Sequence, residues 1–201
     1  MNPLKNTVTL CVYFTLLGII SNTQAQWKYE NVTEIPDAVI ISYDVIYEKE
    51  LTEKEKMIRE NLKKIGEKFP EFSQRSISGK TLNNKSFKKN ITVINFWYST
   101  CPPCKKEIPQ LNILKKKYEN EKVNFYAFSL DDELTLNAFL KENPFNFELI
   151  TNAREFAKSI RIRFYPTNII IDKKGKIQFF ETGYKSDMVK QLSEKIDILL
   201  D

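Results

Sequence analysis

The sequence predicts an α/β fold in which a central mixed β-sheet carries helices on both faces. Segments rich in β-branched and aromatic residues alternate along much of the chain with segments of helical periodicity, an order that produces a sheet covered by helices. Residues 92–98 are apolar almost throughout, as expected of a central strand. Two later strands flank a short turn at residues 173–176, which predicts an antiparallel hairpin and so makes the sheet mixed.

The first 25 residues have the pattern of an export signal. Lys5 supplies a positive charge, residues 8–20 are mostly apolar, and Thr23 and Ala25 are small residues placed as in a cleavage site after Ala25. We therefore predict a signal peptide at residues 1–25 and an exported, periplasmic protein. An uncleaved segment would instead act as a membrane anchor.

Residues 26–68 are predicted to form an N-terminal strand–helix extension before a main domain at residues 69–201. No pattern in the extension indicates chemistry, so we interpret it as a structural addition or a partner surface. Its predicted elements are a strand at residues 38–47 and a helix at residues 53–68, which begins at a capping box of Thr52 and Glu55 and has a stripe of Ile58, Leu62 and Ile65.

In the main domain each element has its own signal of periodicity, turn or cap. A turn at Ser78-Gly79-Lys80 predicts a hairpin, and Asp131 or Asp132 is a candidate cap for a helix, as is Ser186 for the last one. In chain order we predict a hairpin within residues 72–82, the strand at 92–98, a helix to about residue 118 with Ile108, Leu111 and Leu114 buried, a strand at 123–130, a helix carrying Leu134, Leu136, Phe139 and Leu140, a strand at 147–150, a helix at 153–160, strands at 167–172 and 177–181, and a last helix with a stripe of Val189, Leu192, Ile196 and Leu199.

Composition excludes several classes of protein. The 31 basic and 26 acidic residues are interspersed, and no basic block with interleaved aromatic residues suggests binding to nucleic acid. The sequence contains no histidine, which rules out Ser-His-Asp and Cys-His catalysis. Lys105 follows Cys104 where a haem-attachment motif needs histidine. We predict no metal and no bound cofactor, and we interpret the run from Lys105 to Glu107 as solvated helix surface.

The number and spacing of the cysteines indicate the chemistry of the protein. Of the three, Cys11 lies in the predicted signal peptide, which leaves Cys101 and Cys104 separated by Pro102 and Pro103. A disulfide that closes so short a loop restrains the unfolded chain very little. The pair is therefore better suited to reversible thiol–disulfide exchange than to cross-linking the fold.

The Cys-x-x-Cys pair directly follows the central strand and begins the next helix. Free N–H groups and the helix dipole favour a thiolate at a helix N-terminus, and the thiolate is the species that attacks a disulfide. We predict Cys101 as the nucleophile and Cys104, one turn further and more buried, as the resolving thiol. Pro102 and Pro103 stiffen the loop between them.

The segment NFWYSTCPPCKKEIPQL, residues 95–111, resembles the thioredoxin superfamily, and in particular the exported bacterial thiol–disulfide oxidoreductases named for TlpA and ResA. Trp97 lies four residues before Cys101, and Pro109 lies five residues after Cys104, as in that family. The resemblance covers about residues 69–200 and implies a thioredoxin-like fold.

The segment Phe164-Tyr165-Pro166-Thr167 resembles the cis-proline loop of the same family. The resemblance implies that Pro166 is cis and faces the cysteine pair, and that the backbone beside it, at Tyr165 especially, pairs with an extended substrate. It also implies that Trp97 and Tyr98 line the site, although ordinary packing explains them equally well. With Pro102 and Pro103, these residues form the predicted substrate-binding set.

Asn95 stands where cytosolic thioredoxins have a buried aspartate. The exported branch often has asparagine there, so Asn95 fits the resemblance but removes one general base, and we interpret it as a hydrogen-bonded structural residue. Two other positions depart from the family pattern. Thr100 replaces the tryptophan that commonly precedes the first cysteine, and Tyr165 replaces a smaller residue before the cis-proline. The last two changes alter the surface that meets the substrate, so the substrate class does not carry over.

We favour a reductase that keeps cysteines of exported proteins reduced and receives electrons from a membrane-embedded partner. A disulfide oxidase or isomerase is the alternative enzyme, because Pro102 and Pro103 do not settle the direction of electron flow. A thiol peroxidase fits the spacing of the cysteines less well. A copper carrier on this fold would commonly use histidine, which the chain lacks. A redox-inactive binding module is the remaining alternative.

Overall fold

The computed structural model describes residues 52–201. The predicted signal peptide and the strand predicted at residues 38–47 lie outside the described residues. The capping box of Thr52 and Glu55 is present: the Thr52 N–H donates to Glu55 Oε2 at 2.8 Å, and the Glu55 N–H donates to Thr52 Oγ1 at 3.3 Å. The described elements are α1 Glu53–Lys63, β1 Ser73–Arg75, β2 Thr81–Asn83, a short 3-10 helix Asn84–Phe87, β3 Ile91–Trp97, α2 Pro102–Lys117, β4 Val123–Ser129, α3 Glu133–Leu140, β5 Glu148–Ile150, α4 Arg154–Ser159, β6 Thr167–Ile171, β7 Ile177–Thr182 and α5 Met188–Leu200.

Five strands form the central sheet in the order β5-β4-β3-β6-β7. β3 runs parallel to β4 and antiparallel to β6, and β6 pairs antiparallel with β7. The sheet is therefore mixed, and β3, whose seven residues are all buried, lies at its centre as predicted. The hairpin of β1 and β2 extends the edge at β5, where the Ile77 N–H donates to Leu149 O at 2.9 Å.

Two apolar clusters cover the two faces of the sheet. On one face, the buried stripes of α2 and α5 pack on the side of β3 that carries Val93 and Trp97. On the other face, α4 and the rings of Phe69, Phe72 and Phe87 pack on Ile94 and Phe96. Since successive side chains of a strand point to opposite faces, this division follows directly from the sequence of β3. The predicted fold class is confirmed.

The helix predicted at residues 53–68 ends at Lys63, because the chain then turns to join the sheet. The Gly66 N–H donates to Ile177 O at 2.7 Å, and Ile177 N–H donates to Glu67 O at 2.8 Å. The apolar stripe used to predict this helix does not form a buried face: Leu62 is 60% exposed, and Ile65, which lies beyond the end of the helix, is 39% exposed.

Two details concern the first turns of α3 and α5. In α3, Leu136, Phe139 and Leu140 pack towards the core, but Leu134 is 83% exposed, since it points away from that face of the helix. At the start of α5 the cap position is Asp187 rather than Ser186, and the Asp187 side chain makes no capping hydrogen bond in the described part of the chain. None of the helices described in residues 52–201 has the length and apolar character that a membrane span requires.

Candidate active site

Cys101 and Cys104 lie at the start of α2 and form a disulfide, with their Cα atoms 5.2 Å apart. Cys101 is the N-cap residue, and its Sγ accepts a hydrogen bond from the Cys104 N–H at 3.2 Å. Each cysteine is 1% exposed. The expectation that Cys104 is the more buried was therefore wrong for this oxidised form, because the S–S bond holds Cys101 Sγ against the first turn of the helix.

Pro102 and Pro103 occupy the first turn of α2, and neither has an N–H group. A helix N-terminus without proline offers several free N–H groups to a nearby anion. Here Cys104 is the first helical residue that carries one, and it donates to Cys101 Sγ. The prolines thus stiffen the loop and also remove donors that a Cys101 thiolate would otherwise find.

Asp131 holds the loop that leads from β3 to Cys101. Its Oδ2 accepts hydrogen bonds from the Ser99 N–H at 2.6 Å and from the Ser129 hydroxyl at 3.0 Å. Asp132, the other candidate cap in the sequence, caps α3 through the Thr135 N–H at 2.7 Å. Asp131 therefore anchors the loop before Cys101, and Asp132 caps α3.

The Tyr165–Pro166 peptide bond is cis, as expected, and Pro166 is buried. Because Phe96 of β3 pairs with Thr167 of β6, the residue before Thr167 and the loop after β3 lie at the same edge of the sheet. The cis-proline loop and the loop that ends at Cys101 are thus neighbours. Pro166 O accepts a hydrogen bond from the Gly183 N–H at 2.7 Å.

The two predicted aromatic residues before Cys101 have different surroundings. Trp97 is completely buried, with its ring centroid 5.3 Å from those of Phe139 and Phe145. Its Nε1–H has no hydrogen-bond partner within the described residues. Tyr98 is half-buried and packs edge to face on Tyr165. In this form Tyr98 offers surface at the site and Trp97 does not.

Glu107 is the site residue that sequence reasoning missed. The interpretation of Lys105 to Glu107 as solvated surface holds for the two lysines, but Glu107 is 1% exposed. Its Oε2 accepts from Asn95 Nδ2 at 3.2 Å, and its Oε1 accepts from Asn168 Nδ2 at 3.0 Å. Asn95 is thereby confirmed as a hydrogen-bonded structural residue.

Burial raises the pKa of Glu107 to about 7, although the hydrogen bonds from Asn168 and Asn95 act to lower it. Glu107 lies three residues after Cys104 in α2, so its side chain leaves the same side of the helix. A carboxyl that titrates near neutral pH beside a cysteine pair can accept a thiol proton and return it. The signal available in the sequence was this spacing, since Glu107 falls on the stripe of Cys104, Ile108 and Leu111.

A thioredoxin-like fold with a Cys-x-x-Cys disulfide at a helix N-terminus and a cis-proline beside it defines a thiol–disulfide oxidoreductase. Residues 65–180 match the model of the AhpC/TSA family, and the chain belongs to that family. The thiol–disulfide oxidoreductase ResA of Bacillus thuringiensis subsp. konkukian is 32% identical over 134 residues, which are 66% of this chain and 74% of the relative.

Solved structures agree with this assignment. The crystal structure of StoA from Bacillus subtilis superposes with a TM-score of 0.54 and 27% identity, over 63% of this chain and 96% of that one. A protein from Chlorobium tepidum described as a putative thiol:disulfide interchange protein DsbE superposes with a TM-score of 0.63 over 68% of this chain and 98% of that one. At 23% identity, the second likeness bears on the fold alone. The predicted enzyme class is confirmed.

Proposed function

We propose that the protein reduces disulfides in other exported proteins by dithiol exchange at Cys101 and Cys104, and that a membrane-embedded donor restores its own dithiol. We infer the direction of electron flow from the surroundings of the Cys101 sulfur. A strong oxidant of this class owes its potential to a stabilised reduced form, in which the nucleophilic thiolate is held by favourable charges and hydrogen bonds.

Among the described residues 52–201, Cys101 has few such contacts. Its Sγ accepts one backbone hydrogen bond, from Cys104, and the prolines between the two cysteines add no donor. The titratable side chain that follows on the same side of α2 is an acid, Glu107, and its negative charge disfavours a nearby thiolate. When the thiolate is poorly stabilised, the reduced dithiol form is less stable and gives up its electrons more readily. These surroundings therefore favour a reductant.

The reaction transfers two electrons from the cysteine pair to the substrate disulfide. The Cys101 thiolate attacks one sulfur of the substrate disulfide, which forms a mixed disulfide and releases the other sulfur as a thiolate. Glu107, in its carboxylate form, accepts the proton of the Cys104 thiol. The Cys104 thiolate then attacks Cys101 Sγ, releases the second substrate thiolate and forms the Cys101–Cys104 disulfide. The two substrate thiolates take up one proton from Glu107 and one from water, so the substrate leaves as a dithiol, the Glu107 carboxylate is restored and the enzyme pair is oxidised.

The substrate surface in this proposal lies around the cis-proline loop. The backbone at Tyr165 and Pro166 would pair with an extended segment of the substrate, as in β-addition. Tyr98, Pro102 and Pro103 would complete the set on the side of the cysteines, whereas Trp97, which was also predicted there, is completely buried and offers no surface to a substrate. The contact between the Tyr98 and Tyr165 rings supports this grouping, since it brings the two loops together.

The export signal pattern in residues 1–25 supports the location. Thiol pools that keep cysteines reduced belong to the cytosol. An exported reductase therefore needs electrons from across the membrane, which is why we include a membrane-embedded donor. Fusing residues 1–25 to a reporter enzyme that is active only outside the cytoplasm tests this part, and an inactive fusion would contradict export.

The reduction potential tests the direction. The purified protein is equilibrated against thiol buffers of defined potential, and the oxidised fraction of Cys101 and Cys104 is read by alkylation. We expect a value near that of thioredoxin, about −270 mV, whereas a value near about −120 mV would make the protein an oxidant. A Cys101→Ser variant is the matched control, because it retains Cys104 but has no pair to titrate.

A further inference from the structure

Asn95 and Asn168 face each other across the centre of the sheet. They are direct partners in the antiparallel pairing of β3 and β6, and each is at most 1% exposed. Asn95 Nδ2 donates to Asn168 Oδ1 at 2.9 Å. A buried amide pair in a position where apolar residues usually pack is costly unless every polar atom finds a partner.

Glu107, on the helix α2 that packs on one face of the sheet, completes the hydrogen bonds of this pair. Its two carboxyl oxygens accept one hydrogen bond from each asparagine, at 3.2 Å from Asn95 Nδ2 and 3.0 Å from Asn168 Nδ2. Three side chains from β3, β6 and α2 thus form a closed ring of hydrogen bonds. The ring joins the helix that begins at the cysteines to the strand that follows Pro166.

The ring fixes the orientation of the Asn168 amide. Because Asn168 Oδ1 already accepts from Asn95, its NH₂ group is the end directed at Glu107. An N–H donor stabilises a carboxylate, whereas a protonated Glu107 would need an acceptor that Asn168 does not present in this orientation. Asn168 therefore favours the form of Glu107 that can accept a proton.

Two charged side chains on the elements around the ring, Glu181 and Lys106, have partners of their own. On β7, Glu181 lies opposite Asn168 in the sheet and pairs with Lys185 at 2.7 Å. On α2, Lys106 lies over the ring of Tyr184, with its Nζ 4.8 Å from the centroid. On the remaining sides, β4 places Ala127 opposite Asn95, and α5 contributes Met188 and Leu192 to the apolar cluster on the face of the sheet where α2 packs. Cys104 lies one helical turn before Glu107 on α2.

We propose that Asn168 is a positioning residue for thiol–disulfide exchange: it orients the Glu107 carboxyl and holds it ready to accept the proton of the Cys104 thiol. The inference rests on the role given to Glu107 under the proposed function. Through Asn168, β6, the strand that begins directly after Pro166, also takes part in proton transfer.

The test is the titration of Glu107 in the oxidised protein, followed by the ¹³C NMR signal of its side-chain carboxyl, which is assigned by its loss in Glu107→Gln. In Asn168→Leu we expect the midpoint to move upward from about 7 by about one pH unit or more, because a hydrogen bond to the charged form is lost. The pH profile of the exchange rate should move in the same direction. Asn168→Ser, whose hydroxyl is too short to replace the amide, should give the same shift and serves if the leucine variant does not fold.

Asn124→Leu is the matched control. Asn124 is a partly buried asparagine of β4 whose amide donates to Ser86 O at 3.0 Å, away from the ring, so its loss should leave the Glu107 midpoint unchanged. An unchanged midpoint in folded Asn168→Leu or Asn168→Ser would overturn the inference. If Glu107→Gln removes the pH dependence of exchange while the Asn168 variants keep the wild-type midpoint, the proposed function stands and the inference alone fails. An oxidising reduction potential would instead count against the proposed function.

Discussion

The rings of Tyr98 and Tyr165 pack edge to face with their centroids 5.5 Å apart. Tyr98 belongs to the loop that leads to Cys101, and Tyr165 immediately precedes the cis-proline. Edge-to-face pairs of this kind contribute about 0.5–1.5 kcal/mol beyond the area that they bury. The contact therefore holds together the two loops from which we build the substrate surface.

Replacing Tyr165 by alanine should weaken exchange with a disulfide-containing peptide while sparing a small disulfide. The ring contact to Tyr98 disappears, and a peptide that spans both loops loses its support. We expect kcat/KM for the peptide to fall roughly three- to tenfold. The measurement is the steady-state rate with each of the two disulfides.

Tyr165→Phe is the control for this prediction. It keeps the ring and loses the hydroxyl, which donates to Ile162 O at 3.3 Å. The phenylalanine variant should behave nearly as the wild type. Equal losses in both variants, or equal losses with both disulfides, would show that the ring contact does not support peptide binding.

The roles of the two cysteines are separated by a trapping experiment. In Cys104→Ser the Cys101 thiolate can still attack, but no resolving thiol remains, so a mixed disulfide with the substrate should accumulate. In Cys101→Ser no mixed disulfide should form. Non-reducing electrophoresis and mass spectrometry of the adduct make the measurement, and an adduct through Cys104 in the second variant would reverse the assignment.

Much of the site could be predicted because its signals are local. The apolar run of β3, the cysteine spacing and the prolines of the first turn lie within one short segment. The cis-proline loop was found in the same way, from four consecutive residues ending at Thr167. In each case the residues that determine the geometry are close together in the sequence.

Glu107 could not be found in this way, because its burial depends on a distant partner. In a run that begins with two exposed lysines, a glutamate is typical of a solvated helix surface. Asn168, which makes its burial possible, lies 61 residues further along the chain. Likewise, nothing local decides which of Asp131 and Asp132 caps a helix, since the answer depends on where β3 places Ser99.

Asp131→Ala should slow exchange at Cys101. The Ser99 N–H and the Ser129 hydroxyl would lose their shared acceptor, and the loop before Cys101 would lose its anchor. We expect a loss of stability on the order of 1–2 kcal/mol together with a lower rate of alkylation or exchange in the reduced protein. Chemical denaturation and single-turnover kinetics measure the two effects.

Asp132→Ala is the matched comparison, because it removes the neighbouring carboxylate and its hydrogen bond to Thr135. It should lower stability through the lost helix cap but leave the exchange rate unchanged. If the two variants slow exchange equally, the effect belongs to general stability and not to the Cys101 loop.

Glu107→Gln should stabilise the oxidised protein at alkaline pH. Burial raises the folded-state pKa of Glu107 from its ordinary 4.5 to about 7, so between these values the folded protein binds more protons than the unfolded chain. The stability that the neutral carboxyl provides is fully present below the unfolded pKa and is lost as the pH rises through about 7. Glutamine does not ionise, so the variant should exceed the wild type by roughly 3 kcal/mol at about pH 8, with no advantage at about pH 4.

Glu148→Gln should change the unfolding free energy in the opposite direction when it is measured against pH in the same way. Burial acts to raise the pKa of Glu148, but hydrogen bonds from Ser78, Ser76 and Lys80 outweigh it, and the pKa is lowered. A lowered pKa contributes stability above the unfolded value, which is lost as the pH falls through the folded value. Glu148→Gln should therefore be less stable than the wild type at neutral pH, and the deficit should shrink in acid. A difference between Glu107→Gln and the wild type that does not change with pH would mean that Glu107 ionises as an ordinary carboxylic acid.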